Sequence, residues 1–266
     1  MIKVQNLSRR FGEFLAVAPT DLHIHKQKTT VIMGGSGSGK TTLLRLLSGL
    51  EQASTGHIWF DNDSDLTCMA ARHLYALRLR MGMVFQYSAL LNSLNVYENV
   101  SFPLHEHTNL DESLIRTMVT MKLEQVGMRG FEHLMPSELS GGMAKRVAFA
   151  RALITDPELV FFDEPTSGLD PIAAAVVTRL IQQLTVKTKM TSVVVTHDVA
   201  AGLAIADWVI LLWQGRVIAE GTAEHIANSS DARVQQFIQG KPDGPIPFSR
   251  SDTPYLETLM QVDSHG

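Results

Sequence analysis

Cysteine is almost absent: Cys68 is the one cysteine in 266 residues. A single cysteine closes no internal disulfide. That excludes a disulfide-stapled scaffold and fits a reducing compartment. There is no surplus of positive charge, since 23 Lys and Arg face 27 Asp and Glu for a net charge of −4. A mildly acidic chain is not built to coat a nucleic-acid backbone, so no nucleic-acid partner is expected. Long apolar runs are also missing. The longest, Trp208–Trp213 and Val199–Ala206, fall far short of the roughly 20 residues of a spanning helix. The opening stretch MIKVQNLSRRFGEF has no apolar core of the kind a secretory signal needs. No internal repeat or low-complexity tract is visible. These absences lead us to expect a cytoplasmic chain, free to sit on a membrane protein. What remains is ordinary globular material, 45% hydrophobic, with a length that suits one or two domains.

Strand-like and helix-like segments alternate. Short apolar segments at Ile2–Val4, Thr30–Met33, His57–Phe60, Met83–Phe85, Leu159–Asp163, Ser192–Thr196, Trp208–Leu212 and Arg216–Glu220 predict buried parallel strands covered by helices. Helices are predicted over Gly39–Ser48, Glu112–Val126, Gly142–Leu153 and Pro171–Thr185. Gly49 caps the first at its C-terminus, and proline opens the last. Residues 88–157 have few strand signals and read as a helical insert in an α/β core. The final segment, 241–266, holds Pro242, Pro245, Pro247 and Pro254. It is expected to be extended and poorly packed.

Chemistry enters at residues 34–41, Gly-Gly-Ser-Gly-Ser-Gly-Lys-Thr, a full P-loop between a predicted strand and a predicted helix. Gly34, Gly35, Gly37 and Gly39 let the backbone, with Ser36 and Ser38, wrap a phosphate with its N–H groups inward. The helix N-terminus at Lys40, Thr41 and Thr42 adds positive dipole. Lys40 reaches the β- and γ-phosphates, and the Thr41 hydroxyl suits Mg²⁺. The strand Leu159–Phe162 delivers Asp163 and Glu164 at its C-terminal end, where α/β sheets bind ligands. Asp163 suits Mg²⁺ coordination, and Glu164 suits orientation of a water attacking the γ-phosphate.

Between these motifs lies Leu139-Ser140-Gly141-Gly142-Met143, and with it the chain resembles the ATP-binding-cassette (ABC) ATPases over about residues 1–240. Their signature is usually LSGGQ. Gln86 falls at the Q-loop position, Ser167-Gly168-Leu169-Asp170 at the D-loop and His197 at the H-loop. Phe11, 29 residues before Lys40, falls where an aromatic stacks on adenine; Phe14 is close by, and either ring also suits a core. The resemblance implies a P-loop NTPase (RecA-like) core with a helical subdomain at about 88–157, ATP and Mg²⁺ as ligands, and an ATP-sandwich dimer with a second copy. In that dimer Ser140, Gly141 and Gly142 of one chain meet the γ-phosphate on the other. Asp170 couples the two sites, Gln86 contacts the metal and passes motion onward, and His197 holds the γ-phosphate and the water. Met143 departs from the signature, because a thioether cannot replace the polar contacts of a glutamine.

The LSGGM variant, with Met81–Leu90, Val96–Val100, Phe102–Leu104, Leu134–Leu139 and Gly244–Phe248, resembles the ATPases that serve MCE-protein lipid transporters. This implies a peripheral place on the cytoplasmic face of a Gram-negative inner membrane, under permease subunits. An MCE substrate-binding protein and a STAS-domain protein are further implied partners. The implied cargo is phospholipid, moved between that membrane and a periplasmic carrier to maintain outer-membrane lipid asymmetry. Gln86–Leu104, with Tyr87, Leu90, Leu91 and Phe102, is the expected permease groove, although these side chains also suit packing of the insert. Phe248 or Tyr255 is a candidate anchor of the tail on a second copy, against the reading of a terminus that packs on nothing. Two alternatives are an ATPase of another importer and a non-transport ABC ATPase such as an iron–sulfur assembly component.

Overall fold

The computed structural model describes residues 1–61 and 64–246. Contacts divide the chain into two compact units, 1–226 and 227–266.

The first unit contains two sheets. β1 (Ile2–Phe11), β2 (Phe14–Ile24), β4 (Thr55–Phe60) and β5 (Ser64–Asp65) form one, in the order β2-β1-β4-β5. All its pairings are antiparallel. β3 (Thr29–Gly34), β6 (Met81–Val84), β7 (Leu159–Asp163), β8 (Thr191–Thr196), β9 (Trp208–Trp213) and β10 (Arg216–Gly221) form the other, in the order β10-β9-β3-β8-β7-β6. That sheet is parallel except for the β9–β10 hairpin. The expectation of parallel strands throughout is therefore corrected for Ile2–Val4, His57–Phe60 and Arg216–Glu220. The alternation of β1, with Ile2 and Val4 buried and Lys3 and Gln5 exposed, marks a sheet wetted on one face. β3, β7 and β8 are buried at every residue, as strands covered on both faces must be.

The helices are α1 (Lys40–Leu47), α2 (Ala71–Arg78), α3 (Val96–His107), α4 (Glu112–Gln125), α5 (Gly141–Leu153), α6 (Pro171–Thr188), α7 (Val199–Ile205), α8 (Ala223–Ala227) and α9 (Ala232–Gln239). α1 ends as expected, with Gly49 left-handed at φ 67° and Leu50 N–H reaching back to the Arg45 carbonyl. α3 opens on a capping box in which the Asn95 side chain accepts from the Glu98 N–H and Glu98 accepts from the Asn95 N–H. α3, α4 and α5 all lie between β6 and β7, the stretch read as helical. One apolar cluster spans both sheets, from Ile2, Leu22 and Phe60 through Leu43 and Leu47 to Phe161, Val193 and Ile210.

In the second unit Gln236 is buried and anchors the chain beyond α9. Its amide donates to the Ile246 carbonyl at 3.0 Å and accepts from the Ile246 N–H at 2.7 Å. Gln236 thus ties Ile246 back to α9, while residues 241–245 are exposed. Pro247, Phe248, Pro254 and Tyr255 lie outside the described residues.

Candidate functional site

Strand order builds the site. β3 pairs with β8 and β8 with β7, with Met33 opposite Thr196 and Asp163 opposite Val195. The C-terminal ends of three adjacent parallel strands therefore deliver the P-loop, His197 and the Asp163–Glu164 pair to one edge.

The loop from Gly34 to Gly39 needs its glycines at two points. A Cβ on Gly39, at φ 100°, would lie 2.4 Å from the Ala16 carbonyl oxygen, and one on Gly34 would lie 2.3 Å from that of Leu212. Both obstacles are backbone and cannot swing aside. β2 and β9 therefore brace the loop from two sides. Ser36 and Gly37 are exposed, while Gly35 is half-buried. Ser38 is buried, and its hydroxyl has no hydrogen-bond partner among the described residues. An orphaned buried hydroxyl in a glycine-rich loop that opens a helix suits an anionic ligand.

Lys40 is 7% exposed and donates to the carbonyls of Gly34 at 2.9 Å and Gly35 at 3.0 Å. Its ammonium is 3.9 Å from Glu164 Oε1. Burial pushes its pKa down, and Glu164 and Asp163 pull it back up. The Thr41 hydroxyl donates to Asp163 Oδ1 at 3.1 Å; Thr42 is half-buried one residue further on. The Asp163 carboxyl is pushed up by burial, against the Thr41 hydrogen bond and the charges of Arg45, Lys40 and Lys145. A hydroxyl beside a carboxylate is a hard-oxygen pair of the kind Mg²⁺ takes.

Glu164 is held from two directions. Its N–H donates to the Val195 carbonyl at 2.9 Å, extending the sheet by one residue. Its Oε2 meets His197 Nδ1 at 2.8 Å. The backbone is left-handed at φ 47°, uncommon for a glutamate. The histidine side chain is 64% exposed and the glutamate 10%, so one partner is positioned inside and the other faces outward.

Other sequence-predicted residues lie in separate places. Ser140 caps α5, accepting from the Met143 N–H at 3.3 Å. Gly141 and Gly142 border a cavity of about 330 Å³ with Gly168, Leu169, Asp170 and Ala173. Asp170 is engaged as the cap of α6, accepting from the N–H groups of Ile172 and Ala173 at 2.9 and 3.0 Å. No hydrogen bond among the described residues joins Ser140–Gly142 to the P-loop of the same chain. Phe11 sits at the tip of the β1–β2 hairpin opposite Phe14, 44% exposed, with the Arg9 guanidinium 4.3 Å from its ring centroid. That excludes a core role for Phe11. Leu91 and Phe102 line a cavity of about 380 Å³ between α3 and β6, whereas Tyr87 is 87% exposed beside it and Leu90 is half-buried.

The Gln86 loop is tied down carbonyl by carbonyl, through residues that sequence reasoning missed. The Gln86 side chain donates to Ser167 Oγ at 3.3 Å, and its carbonyl accepts from the Lys145 ammonium. Arg151 donates to the carbonyls of Ser88 at 2.9 Å and Ala89 at 2.8 Å, both left-handed. Asn99, fully buried, donates to the carbonyls of Leu91, Leu94 and Asn95 and accepts from the Leu91 N–H. The available signal was Lys145 and Arg151, two of the three basic residues in the apolar stretch Val147–Leu153 and its approach. Basic residues on helices are usually solvated, so that signal is weak.

A P-loop, a carboxylate pair and a histidine on adjacent strands of a parallel sheet define a P-loop nucleotide hydrolase. The chain belongs to the ABC transporter family, whose match runs over residues 17–167. It is 47% identical over 98% of both chains to the intermembrane phospholipid transport system ATP-binding protein MlaF of Haemophilus influenzae. It is 48% identical to the Escherichia coli K12 protein of that name, covering 98% of this chain and 96% of that one. Among solved structures it resembles the dimeric ATP-binding cassette MJ0796 in a post-hydrolysis state bound to ADP and Pi. The TM-score is 0.77 at 30% identity, covering 84% of this chain and 99% of that one.

Proposed function

We propose that this chain is the ATP-hydrolysing subunit of a transporter that moves phospholipid between an inner membrane and a periplasmic carrier. The observation that carries the reading is likeness to phospholipid-transport ATP-binding proteins along almost the whole length, with the hydrolytic set Lys40, Thr41, Asp163, Glu164 and His197 complete. The alternatives, another importer or a non-transport cassette, are not favoured, because the relatives at 47 and 48% identity carry the phospholipid-transport name. No described helix is long and apolar enough to cross a membrane. The chain would therefore reach the cytoplasmic face of the inner membrane through permease subunits. A second copy, an MCE substrate-binding protein and a STAS-domain protein complete the proposed assembly. We take residues 1–240 as the ATPase domain, with the helical subdomain at 88–157 inserted, and 241–266 as a C-terminal extension.

The proposed chemistry rests on the geometry. The backbone N–H groups of Gly35–Lys40 and the Ser38 hydroxyl bind phosphate oxygens. Lys40 exchanges its two loop carbonyls for phosphate oxygens, which match a buried ammonium far better than neutral acceptors do. Thr41 and Asp163 would hold Mg²⁺, with Gln86 as a further oxygen donor; when bound, the ion neutralises charge on the phosphates. Glu164, fixed by the Val195 carbonyl and His197, orients the attacking water, while His197 is exposed enough to reach the γ-phosphate. Catalysis of this kind is positioning and charge stabilisation. Phe11, at an exposed hairpin tip, would stack on adenine. Ser140–Gly142 would close on the nucleotide of the second copy, because a helix N-terminus carrying two glycines is a ready anion site. Asp170 would couple the sites from the start of α6.

A tagged pull-down from detergent-solubilised membranes, with mass spectrometry of proteins and lipids, tests the assignment. A permease, an MCE protein, a STAS protein and phospholipid are expected. A soluble scaffold without a permease would overturn the transport reading and leave the ATPase chemistry standing.

A further inference from the structure

α5 carries two functions on one rigid body. Its N-terminus presents Ser140, Gly141 and Gly142, and four residues beyond Gly141 Lys145 turns inward to the site of its own chain. Lys145 is 4% exposed. A lone buried ammonium is expensive, and it is tolerated only beside carboxylates or with its donors engaged. The second condition holds here. The ammonium donates to the Gln86 carbonyl. Burial pushes its pKa down, and Asp163 and then Glu164 pull it back. Lys145 also figures among the charges that hold the Asp163 carboxyl down. No other described side chain both bonds the backbone of the Gln86 loop and shares the field of the carboxylate pair. Further along the same helix, Arg151 grips the loop again at Ser88 and Ala89. The loop therefore cannot shift relative to α5 without breaking charge-assisted hydrogen bonds at three carbonyls.

We propose that Lys145 is a positioning residue that links the two nucleotide sites of a dimer: it ties the Gln86 loop, which leaves the strand paired with that of Asp163, to the helix whose N-terminus meets the nucleotide of the other chain. Engagement of Ser140–Gly142 by one nucleotide moves α5, and Lys145 carries that movement to Gln86 and the Asp163–Glu164 pair of the second site. This rests on the ATPase and dimer reading above. Arginine at this position would keep the charge and a donor for the Gln86 carbonyl. Glutamine would keep a neutral donor only, and methionine neither.

The test measures ATP hydrolysis by the detergent-solubilised full complex carrying Lys145→Met, Lys145→Gln or Lys145→Arg, with Glu164→Gln as control. Wild-type complex that hydrolyses ATP, and a control that does not, establish the site independently of Lys145. Lys145→Met is expected to lower kcat by about ten- to a hundredfold, as the loss of a supporting partner does, with KM for ATP changed less than about threefold. Its Hill coefficient for ATP is expected to fall towards unity. Lys145→Gln is expected to fall between, and Lys145→Arg to recover most of kcat and the cooperativity. Wild-type kcat and Hill coefficient in Lys145→Met would overturn the proposal. So would equal losses in the arginine and methionine variants at unchanged melting temperature. If Lys145→Met fails to assemble, the glutamine variant decides: an unchanged Hill coefficient there overturns the link, and a reduced one supports it.

Discussion

Replacing Asn99 with alanine isolates the contribution of one fully buried amide to the Gln86 loop. In the native chain Asn99 Nδ2 reaches the carbonyls of Leu91 at 3.1 Å, Leu94 at 2.8 Å and Asn95 at 3.0 Å, and Oδ1 accepts from the Leu91 N–H at 2.8 Å. The Asn95 carbonyl keeps its bond from the Asn99 N–H, at 2.9 Å, within the first turn of α3. The Leu91 carbonyl likewise keeps its bond from the Leu94 N–H, at 3.1 Å. Two groups therefore lose a partner outright: the Leu94 carbonyl and the Leu91 N–H. Leu91 is exposed and Leu94 half-buried, so water reaches these groups in part. The low end of the cost of an unsatisfied group applies, about 1 kcal/mol each and roughly 2 kcal/mol together. For a chain of this size that corresponds to a melting temperature lower by about 4–8 °C. Differential scanning fluorimetry of the purified chain without nucleotide measures it. A shift below about 2 °C for Asn99→Ala would refute the reasoning, since it would mean the loop carbonyls are served as well by solvent.

Other consequences are sharper in activity than in stability. Glu164→Gln should bind ATP with near-native affinity and lose nearly all turnover, read by nucleotide binding and phosphate release on the same preparation; near-normal turnover would remove Glu164 from its role. Gly39→Ala drives a Cβ to 2.4 Å from the Ala16 carbonyl, so ATP affinity measured by calorimetry should fall by at least about tenfold, the equivalent of ~1.4 kcal/mol. Chelating divalent ions should stop hydrolysis while fluorescent-nucleotide binding persists, because Lys40 and the loop amides bind phosphate without the metal. The Asp163 carboxyl, pushed up by burial, gives a pH test. A carboxyl with a raised folded pKa binds more protons folded than unfolded, so its charge destabilises the fold above that pKa and not below the unfolded value. Asp163→Asn should melt higher than the native chain at pH 8 without nucleotide, and the gap should close as pH falls towards the ordinary carboxylate pKa; a gap that widens on acidification would contradict this.

The site was legible in the sequence wherever the chemistry is local. The P-loop needs its glycines, lysine and threonine within eight residues, and Asp163-Glu164 needs only an apolar strand before it. A helix N-terminus announces itself in Ser140-Gly141-Gly142. Backbone hydrogen-bonding and φ/ψ limits act over a few residues, so these features are written consecutively, and the ordered set of motifs was enough to name the family. Which strands pair is a different kind of fact. Ile2–Val4 and His57–Phe60 read like the central strands and Phe14–Ile24 does not read as a strand at all, and only the pairing partners decided that β1, β2 and β4 form a separate antiparallel sheet. The ring of Phe11 is ambiguous between core and surface until the hairpin tip is built. Lys145, Arg151 and Asn99 lie 59, 62 and 8 residues from the carbonyls they hold. No local rule tells a buried lysine that meets a distant carbonyl from a solvated one on a helix. Sequence alone determined that this chain binds and hydrolyses a nucleotide, because that chemistry sits in short motifs at strand ends. Only the tertiary structure decided how Lys145, Arg151 and Ser167 hold the Gln86 loop, because those bonds join residues brought together by packing.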